Sequence, residues 1–250
     1  MKDGYTALVT GGASGIGRAA AEILGERGAN VVVADMSEDG GADCVAAIEN
    51  AGGRAIFVRT NVMEEDSVKA AVAAAVDAFG RLDGAINSAG LPPSGKALHM
   101  LDMAEWSRVN GVNLNGMFLS MKHEVGAMLK TGGGAIVAVS SASAVKGMIH
   151  CSDYCASKAG VTGLVRAAAL DYAEQGIRIN ALLPGATDTP LAHRSRDNNP
   201  ELVKRGSVHV PVNRMASPAE IAAVAVWLLS DEASYVTGAS ISADGGMTAA

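Results

Sequence analysis

A doubly wound α/β fold, one parallel sheet of about seven strands flanked by helices, is predicted by three features of this 250-residue sequence. Short apolar runs rich in Val, Ile, Leu and Ala alternate with longer helical stretches, the pattern of parallel strands covered on both faces. A glycine-rich turn joins the first run to the first helix. Neither a repeat of fixed period nor a low-complexity tail breaks the alternation. These features favour a single domain over residues 1–250, a length that α/β folds reach undivided.

The first strand, at residues 7–9, leads into Thr10-Gly11-Gly12-Ala13-Ser14-Gly15-Ile16-Gly17 and then a helical stretch over 18–27. Gly11 permits a tight turn, Gly15 lets backbone amides approach a pyrophosphate, and Gly17 lets helix and strand touch. The helix N-terminus adds partial positive charge beside Ser14 and Ile16. The second strand, at 31–34, ends at Asp35, about twenty residues after the glycines. A carboxylate there accepts hydrogen bonds from both hydroxyls of an adenosine ribose and repels a 2′-phosphate. This order is that of a Rossmann-like dinucleotide site and favours NAD over NADP. Arg18 is the one basic residue in the first helix placed to meet a phosphate, and the expectation is that it faces the pyrophosphate side or solvent.

Further strands follow at 56–58, 84–86, 136–139, 179–182 and 241–243, with an alanine-rich helix over 66–79 that needs no role beyond packing. Ligands in such sheets bind beyond the carboxyl ends of the strands, where Gly11, Asp35, Asn87, Ser141 and Pro184 all fall. Two segments read as irregular covers: residues 91–101, with Pro92 and Pro93, and residues 190–217, with Asn198, Asn199 and Pro211.

Composition excludes several classes. With 49% apolar residues the core is ample, and a net charge of −6 without a Lys/Arg cluster speaks against nucleic acid or an anionic membrane as partner. No leader is visible before the first strand, and no apolar stretch reaches spanning length. Cys44, Cys151 and Cys155 are too few and too uneven for a disulfide framework and fit a reducing, cytoplasmic setting. Cys151 and Cys155 lie beside His150, but no fourth ligand stands at metal-site spacing, so no metal is expected.

Tyr154 and Lys158 are the candidate reactive pair. Four residues apart on a helix, their heads come within about 6 Å. A free phenol titrates near ~10, and a cation beside it favours phenolate and brings it toward a useful range for proton transfer. The plain alternative is a half-buried aromatic next to a solvated charge.

These features together resemble the short-chain dehydrogenase/reductase family over nearly the full chain. The family opens on Thr-Gly-x-x-x-Gly-x-Gly and carries Tyr-x-x-x-Lys in its second half, as here; its Asn-Asn-Ala-Gly element appears as Asn87-Ser88-Ala89-Gly90. Its helix-borne Asn matches Asn113, and its Ser matches Ser141, thirteen positions before Tyr154. Asn180, Pro184-Gly185, Thr187 and Thr189 resemble the stretch along the nicotinamide half of the cofactor, and 236–246 resembles the C-terminal strand. Ser88 departs from the second Asn, and Asn61, before Val62, stands where the family commonly has an Asp that touches adenine. Altered cofactor affinity is the most these departures imply.

The resemblance implies an NAD-dependent oxidoreductase that moves a hydride between nicotinamide and a secondary alcohol or ketone. It implies that Tyr154 handles the hydroxyl proton, Lys158 lowers the tyrosine's pKa and holds the nicotinamide ribose, Ser141 bonds the substrate oxygen, and Asn113 anchors a water leading from Lys158 to solvent. It makes 190–217 a flap over the substrate, with Ser143, His150 and Leu191 as substrate-contacting candidates beside Met148, Val210 and Met215. The segments 176–190 and 223–246 look like members that oxidise cyclic alcohols and dihydrodiols. A 3-oxoacyl-carrier-protein reductase using NADPH shares every catalytic residue and stays open, as does a non-catalytic NAD-binding regulator. Family members commonly form homotetramers, for which Met117, Phe118, Met121, Val161, Leu164 and Val165 offer apolar faces, unless they are core.

Overall fold

The computed structural model describes residues 2–199, 201 and 209–249. Seven strands, β1 (Thr6–Thr10), β2 (Asn30–Asp35), β3 (Arg54–Arg59), β4 (Gly84–Asn87), β5 (Gly134–Val139), β6 (Ile177–Pro184) and β7 (Ser240–Ala243), form one sheet in the order β3-β2-β1-β4-β5-β6-β7. Every pairing is parallel. Each apolar run expected to be a strand is one, lengthened by flanking residues that share in the ladder, such as Arg54 opposite Asn30 and Arg59 opposite Asp35. The stretch 236–238 stays outside β7 but is tied to the β6 edge, where the Gly238 amide donates to the Ile179 carbonyl at 2.8 Å.

The helices are α1 (Gly15–Glu26), α2 (Glu38–Asn50), α3 (Glu65–Phe79), α4 (Met103–Asn110), α5 (Gly116–Thr131), α6 (Ser152–Tyr172), α7 (Pro190–Asn198) and α8 (Pro218–Leu229). Local sequence sets their ends. Glu65 and Asp66 sit in the first turn of α3, where acids suit the helix dipole, and Gly80 at φ +79° ends it in the left-handed region. Ser217 and Glu220 form a reciprocal capping box at α8, with Pro218 in the first turn. The longer first helix, starting at Gly15 rather than Arg18, brings its N-terminus directly onto the glycine turn.

Strand alternation builds two cores. Val31, Val33, Val137 and Leu182 face the layer of α1, α2 and α8, with Leu24, Ile48, Ile221 and Val226. Leu8, Val32, Ile136 and Leu183 face α3, α5 and α6, with Val72, Met121, Met128 and Val165. Fully burying one such Leu or Ile is worth roughly 1.5–3 kcal/mol. Met117, Met121, Val161 and Val165 thus lie in the core, Leu164 packs against it, and Phe118 is exposed.

The strand order reverses between β1 and β4, which open a crevice at their carboxyl ends. Of the cover expected over 91–101, residues 91–97 are irregular while Leu98–Met100 form a 3₁₀ turn, and the cover expected over 190–217 opens on the regular helix α7. Within the expected flap, α7 is followed by Pro200 and residues 202–208, which lie outside the described residues. Among the described residues, no helix is long and apolar enough to cross a membrane.

Candidate active site

A cavity of about 790 Å³ runs along the carboxyl edge of the sheet. At one end lie Gly11, Ser14, Gly15, Ile16 and Asp35. Gly11 has φ +68°, and a Cβ there would come within 2.7 Å of the Ala89 amide nitrogen; a Cβ on Gly17 would collide with the Gly11 carbonyl oxygen. Gly17 therefore sets the fit of turn to helix without lining the cavity. The N-terminus of α1 carries no acid in its first turn and no side-chain cap, so its amides are free to meet an anion.

Asp35, at the end of β2, is fixed by two amides: Oδ2 accepts from Ala13 at 3.1 Å and Oδ1 from Ser37 at 3.0 Å. The nearby cations are engaged elsewhere. Arg18 pairs with Glu22 at 2.8 Å, and Arg59 with Glu38 at 3.2 Å. Thr60, Asn61 and Val62 complete this wall, with the Asn61 side chain donating to Glu64 at 2.7 Å.

Ala89, Gly90, Pro184, Gly185, Thr187 and Thr189 line the middle of the cavity. Thr189 caps α7, its hydroxyl accepting from the Ala192 amide at 3.2 Å. Asn87 is not among the residues that line the cavity. As the last residue of β4 it points into the core, where Oδ1 accepts from Thr10 Oγ1 at 3.2 Å and Nδ2 donates to Glu124 Oε2 at 2.7 Å.

Glu124 was missed in the sequence, although it falls on the apolar stripe of α5 with Met117, Met121, Val125 and Met128, a position where an acid needs a reason. It is fully buried, and its Oε1 has no hydrogen-bond partner among the described residues. Burial pushes its carboxyl up to about 8, against the smaller pull of the Asn87 amide. An acid whose pKa rises on folding gives its full stability below the unfolded value of ~4.3 and loses it as pH climbs through the folded one. Glu124→Gln should therefore match the parent near pH ~4 and exceed its Tm by about 5 °C above pH ~8. A gap independent of pH in thermal scans would mean that Glu124 does not change protonation on folding in this range.

At the other end of the cavity stand Ser141, Tyr154 and Lys158. Tyr154 and Lys158 share a face of α6, the Lys158 Nζ 5.6 Å from the Tyr154 ring centroid. That Nζ donates to the Val139 carbonyl at 2.9 Å, while Ser140 Oγ donates to the Lys158 carbonyl at 2.8 Å. Burial lowers the Lys158 ammonium to about 8. The Tyr154 phenol is pushed up by burial to about 12, and the group that pulls it back is the Ser141 hydroxyl, through a hydrogen bond. One donor of the Lys158 head goes to the Val139 carbonyl, and an ammonium keeps two more for a ligand.

Asn113 lies in a π-helical turn, Gly111–Asn115, between α4 and α5. Such turns are rare and gather at functional sites. It is buried, and it clamps Leu91 from both sides: Oδ1 accepts from the Leu91 amide at 2.7 Å and Nδ2 donates to the Leu91 carbonyl at 3.1 Å. Nδ2 also reaches Ser157 Oγ at 3.3 Å, and Ser157 donates to the Tyr154 carbonyl at 2.8 Å. Asn113 is not itself among the lining residues but lies next to Gly90, which is.

Of the substrate candidates, Ser143 and Leu191 line the cavity, though the Ser143 hydroxyl is spent on Met148 Sδ at 2.7 Å. His150 is not among the lining residues; it adopts a left-handed backbone, φ +56°, between Met148 and Cys151, both of which line it. Val210 and Met215 line it as expected, joined by Leu91 and Pro93 from the first expected cover and by Met247, which the sequence did not single out.

A family model described as enoyl-(acyl carrier protein) reductase matches residues 11–248. The chain is 46% identical over 248 residues to a 2,5-dichloro-2,5-cyclohexadiene-1,4-diol dehydrogenase of Sphingobium indicum, covering 98% of each. It is 47% identical over 245 residues to a cis-4-hydroxycyclohexanecarboxylate dehydrogenase of Sinomonas cyclohexanicum, covering 97% of this chain and 96% of that one. Among solved structures it superposes on levodione reductase with a TM-score of 0.95 at 35% identity, over 100% of both chains. With the glycine turn, the serine, the tyrosine and the lysine gathered along one sheet edge, the chain belongs to the short-chain dehydrogenase/reductase family, and it is an oxidoreductase.

Proposed function

We propose that the chain is an NAD-dependent dehydrogenase that oxidises a secondary alcohol borne on a ring, a cyclic alcohol or diol, to the ketone. The observation that carries this reading is the convergence of Ser141, Tyr154 and Lys158 on one end of a cavity whose other end is the Gly11 turn and Asp35. The residues fit a dinucleotide. The uncapped α1 N-terminus suits a pyrophosphate, Asp35 an adenosine ribose, Asn61 and Val62 the adenine, and Ala89, Gly90, Pro184, Gly185, Thr187 and Thr189 the nicotinamide half. NAD, when bound, supplies the hydride acceptor.

The chain's own part is the proton. Ser141 holds the substrate oxygen, and the Tyr154 oxygen takes the hydroxyl proton. Lys158 holds the nicotinamide ribose and sets the local positive charge, and Asn113 anchors the water beyond it. The substrate end is walled by Leu91, Pro93, Met148, Leu191, Met215 and Met247, an apolar lining suited to a ring. The two relatives above, by their names, act on hydroxylated six-membered rings.

The test is the appearance of reduced nicotinamide when the purified chain is given NAD or NADP and cyclic secondary alcohols, vicinal diols, sugars or 3-hydroxyacyl thioesters. Turnover of a cyclic alcohol or diol with NAD is expected. Reaction only with thioesters and NADP(H) would replace the reading with a carrier-protein reductase, and NAD binding without turnover would replace it with a regulator.

A further inference from the structure

Asp153, the residue before the tyrosine, is an acid with none of its surface exposed. Three donors converge on it. Oδ1 accepts from the Tyr154 amide at 2.8 Å, and Oδ2 accepts from both the Ser94 amide at 3.0 Å and the Ser94 hydroxyl at 2.6 Å. A buried carboxyl is tolerated only when its lone pairs are met, and here every partner belongs either to the tyrosine's own backbone or to the cavity wall.

That wall is residues 91–95, of which Leu91 and Pro93 line the substrate end. Asn113 pins it at Leu91 and Asp153 pins it at Ser94, with two prolines of restricted φ between. Gly95 then lies directly against the Asn198 carbonyl at the end of α7, a contact that a Cβ would abolish. Asn199 closes the circuit, donating to the Ile149 carbonyl at 2.8 Å just ahead of α6. Wall, flap helix and tyrosine-bearing helix therefore meet in one ring of contacts.

We infer that Asp153 is a positioning residue that sets the spacing between Tyr154 and the Leu91–Pro93 wall, and so selects which ring substrates reach the tyrosine. The inference rests on the alcohol-dehydrogenase reading above. Asn cannot replace Asp in this place. Its single carbonyl oxygen can serve Tyr154 or Ser94, and its NH2 then faces a backbone N–H on the other side, donor against donor.

The experiment compares Asp153→Asn, Asp153→Ala, Ser94→Ala and the Asp153→Ala/Ser94→Ala pair in the full chain, reading steady-state kinetics and amide deuterium exchange. Both Asp153 variants are expected to raise KM for a cyclic alcohol by about tenfold, the loss of roughly one charge-assisted hydrogen bond, with KM for NAD kept within about twofold. Ser94→Ala should give a smaller rise, and the pair should be no worse than Asp153→Ala alone. Exchange should quicken over residues 91–97 and not in α1. KM values for alcohol and NAD rising together, Asp153→Asn behaving as the parent, or exchange over 91–97 unchanged would each overturn the inference. If the parent oxidises no alcohol, the dehydrogenase reading fails, and the exchange measurement alone decides whether Asp153 holds the wall.

Discussion

Tyr154→Phe should lower kcat for alcohol oxidation by about 10³-fold or more, while NAD binding, measured by calorimetry or fluorescence, changes little. The substitution keeps the ring on α6 and removes only the oxygen that Ser141 contacts. Substrate and cofactor should keep their places, and what disappears is the group proposed to take the proton. The pH profile gives a second, independent reading. With the phenol pushed up to about 12 by burial, little phenolate is present near neutrality, so oxidation by the parent should quicken as pH rises and the reverse reduction should slow. The Lys158 ammonium, brought down to about 8, loses its charge over the same range and bends the profile at its alkaline end. Tyr154→Phe should flatten the rise. Substantial activity with an unchanged pH slope would show that another group carries the proton.

Asp35→Ala should narrow the preference for NAD over NADP from about 10²-fold or more to roughly tenfold or less. A 2′-phosphate brings about 1.5–2 negative charges, and a like charge at 4 Å costs about 4 kcal/mol at an effective dielectric of 20, less where water screens it. Both Asp35 oxygens are already oriented by amides, so the carboxylate cannot swing clear. Preference should shrink rather than reverse, because the two nearby cations, Arg18 and Arg59, are paired with Glu22 and Glu38. NAD should also bind less tightly, since the adenosine ribose hydroxyls lose the acceptor proposed for them. Equal kcat/KM for the two cofactors in the parent protein would remove Asp35 from its proposed role.

The parts of this molecule legible in the sequence are those written in short-range pattern. Apolar runs marked all seven strands because both faces of a parallel sheet are covered, and the glycine turn, Asp35 and the Tyr154/Lys158 pair are local spacings. What stayed hidden depends on contacts between distant segments. Asn87 turns inward toward Glu124, 37 residues away. Ser94 meets Asp153 across 59 residues, and Asn199 meets Ile149 across 50. His150 adopts a left-handed backbone, and no spacing rule announces a positive φ at a histidine. The acceptor of the Lys158 head was likewise invisible: a pattern sets Lys158 on the Tyr154 face of α6 but does not say that Nζ will donate to the Val139 carbonyl.

The widened turn at Gly111–Asn115 places a strict demand on chain length. Each residue in an α-helix advances the chain by about 100°, so losing one residue here, and with it the bulge, would swing everything upstream by that angle relative to α5. The amide that grips both sides of Leu91 would then point elsewhere, although no residue in contact with the cavity had changed. Insertions and deletions should be tolerated in the surface connections of this protein and selected against in those five residues, where the count of residues, as much as their identity, sets the geometry of the site.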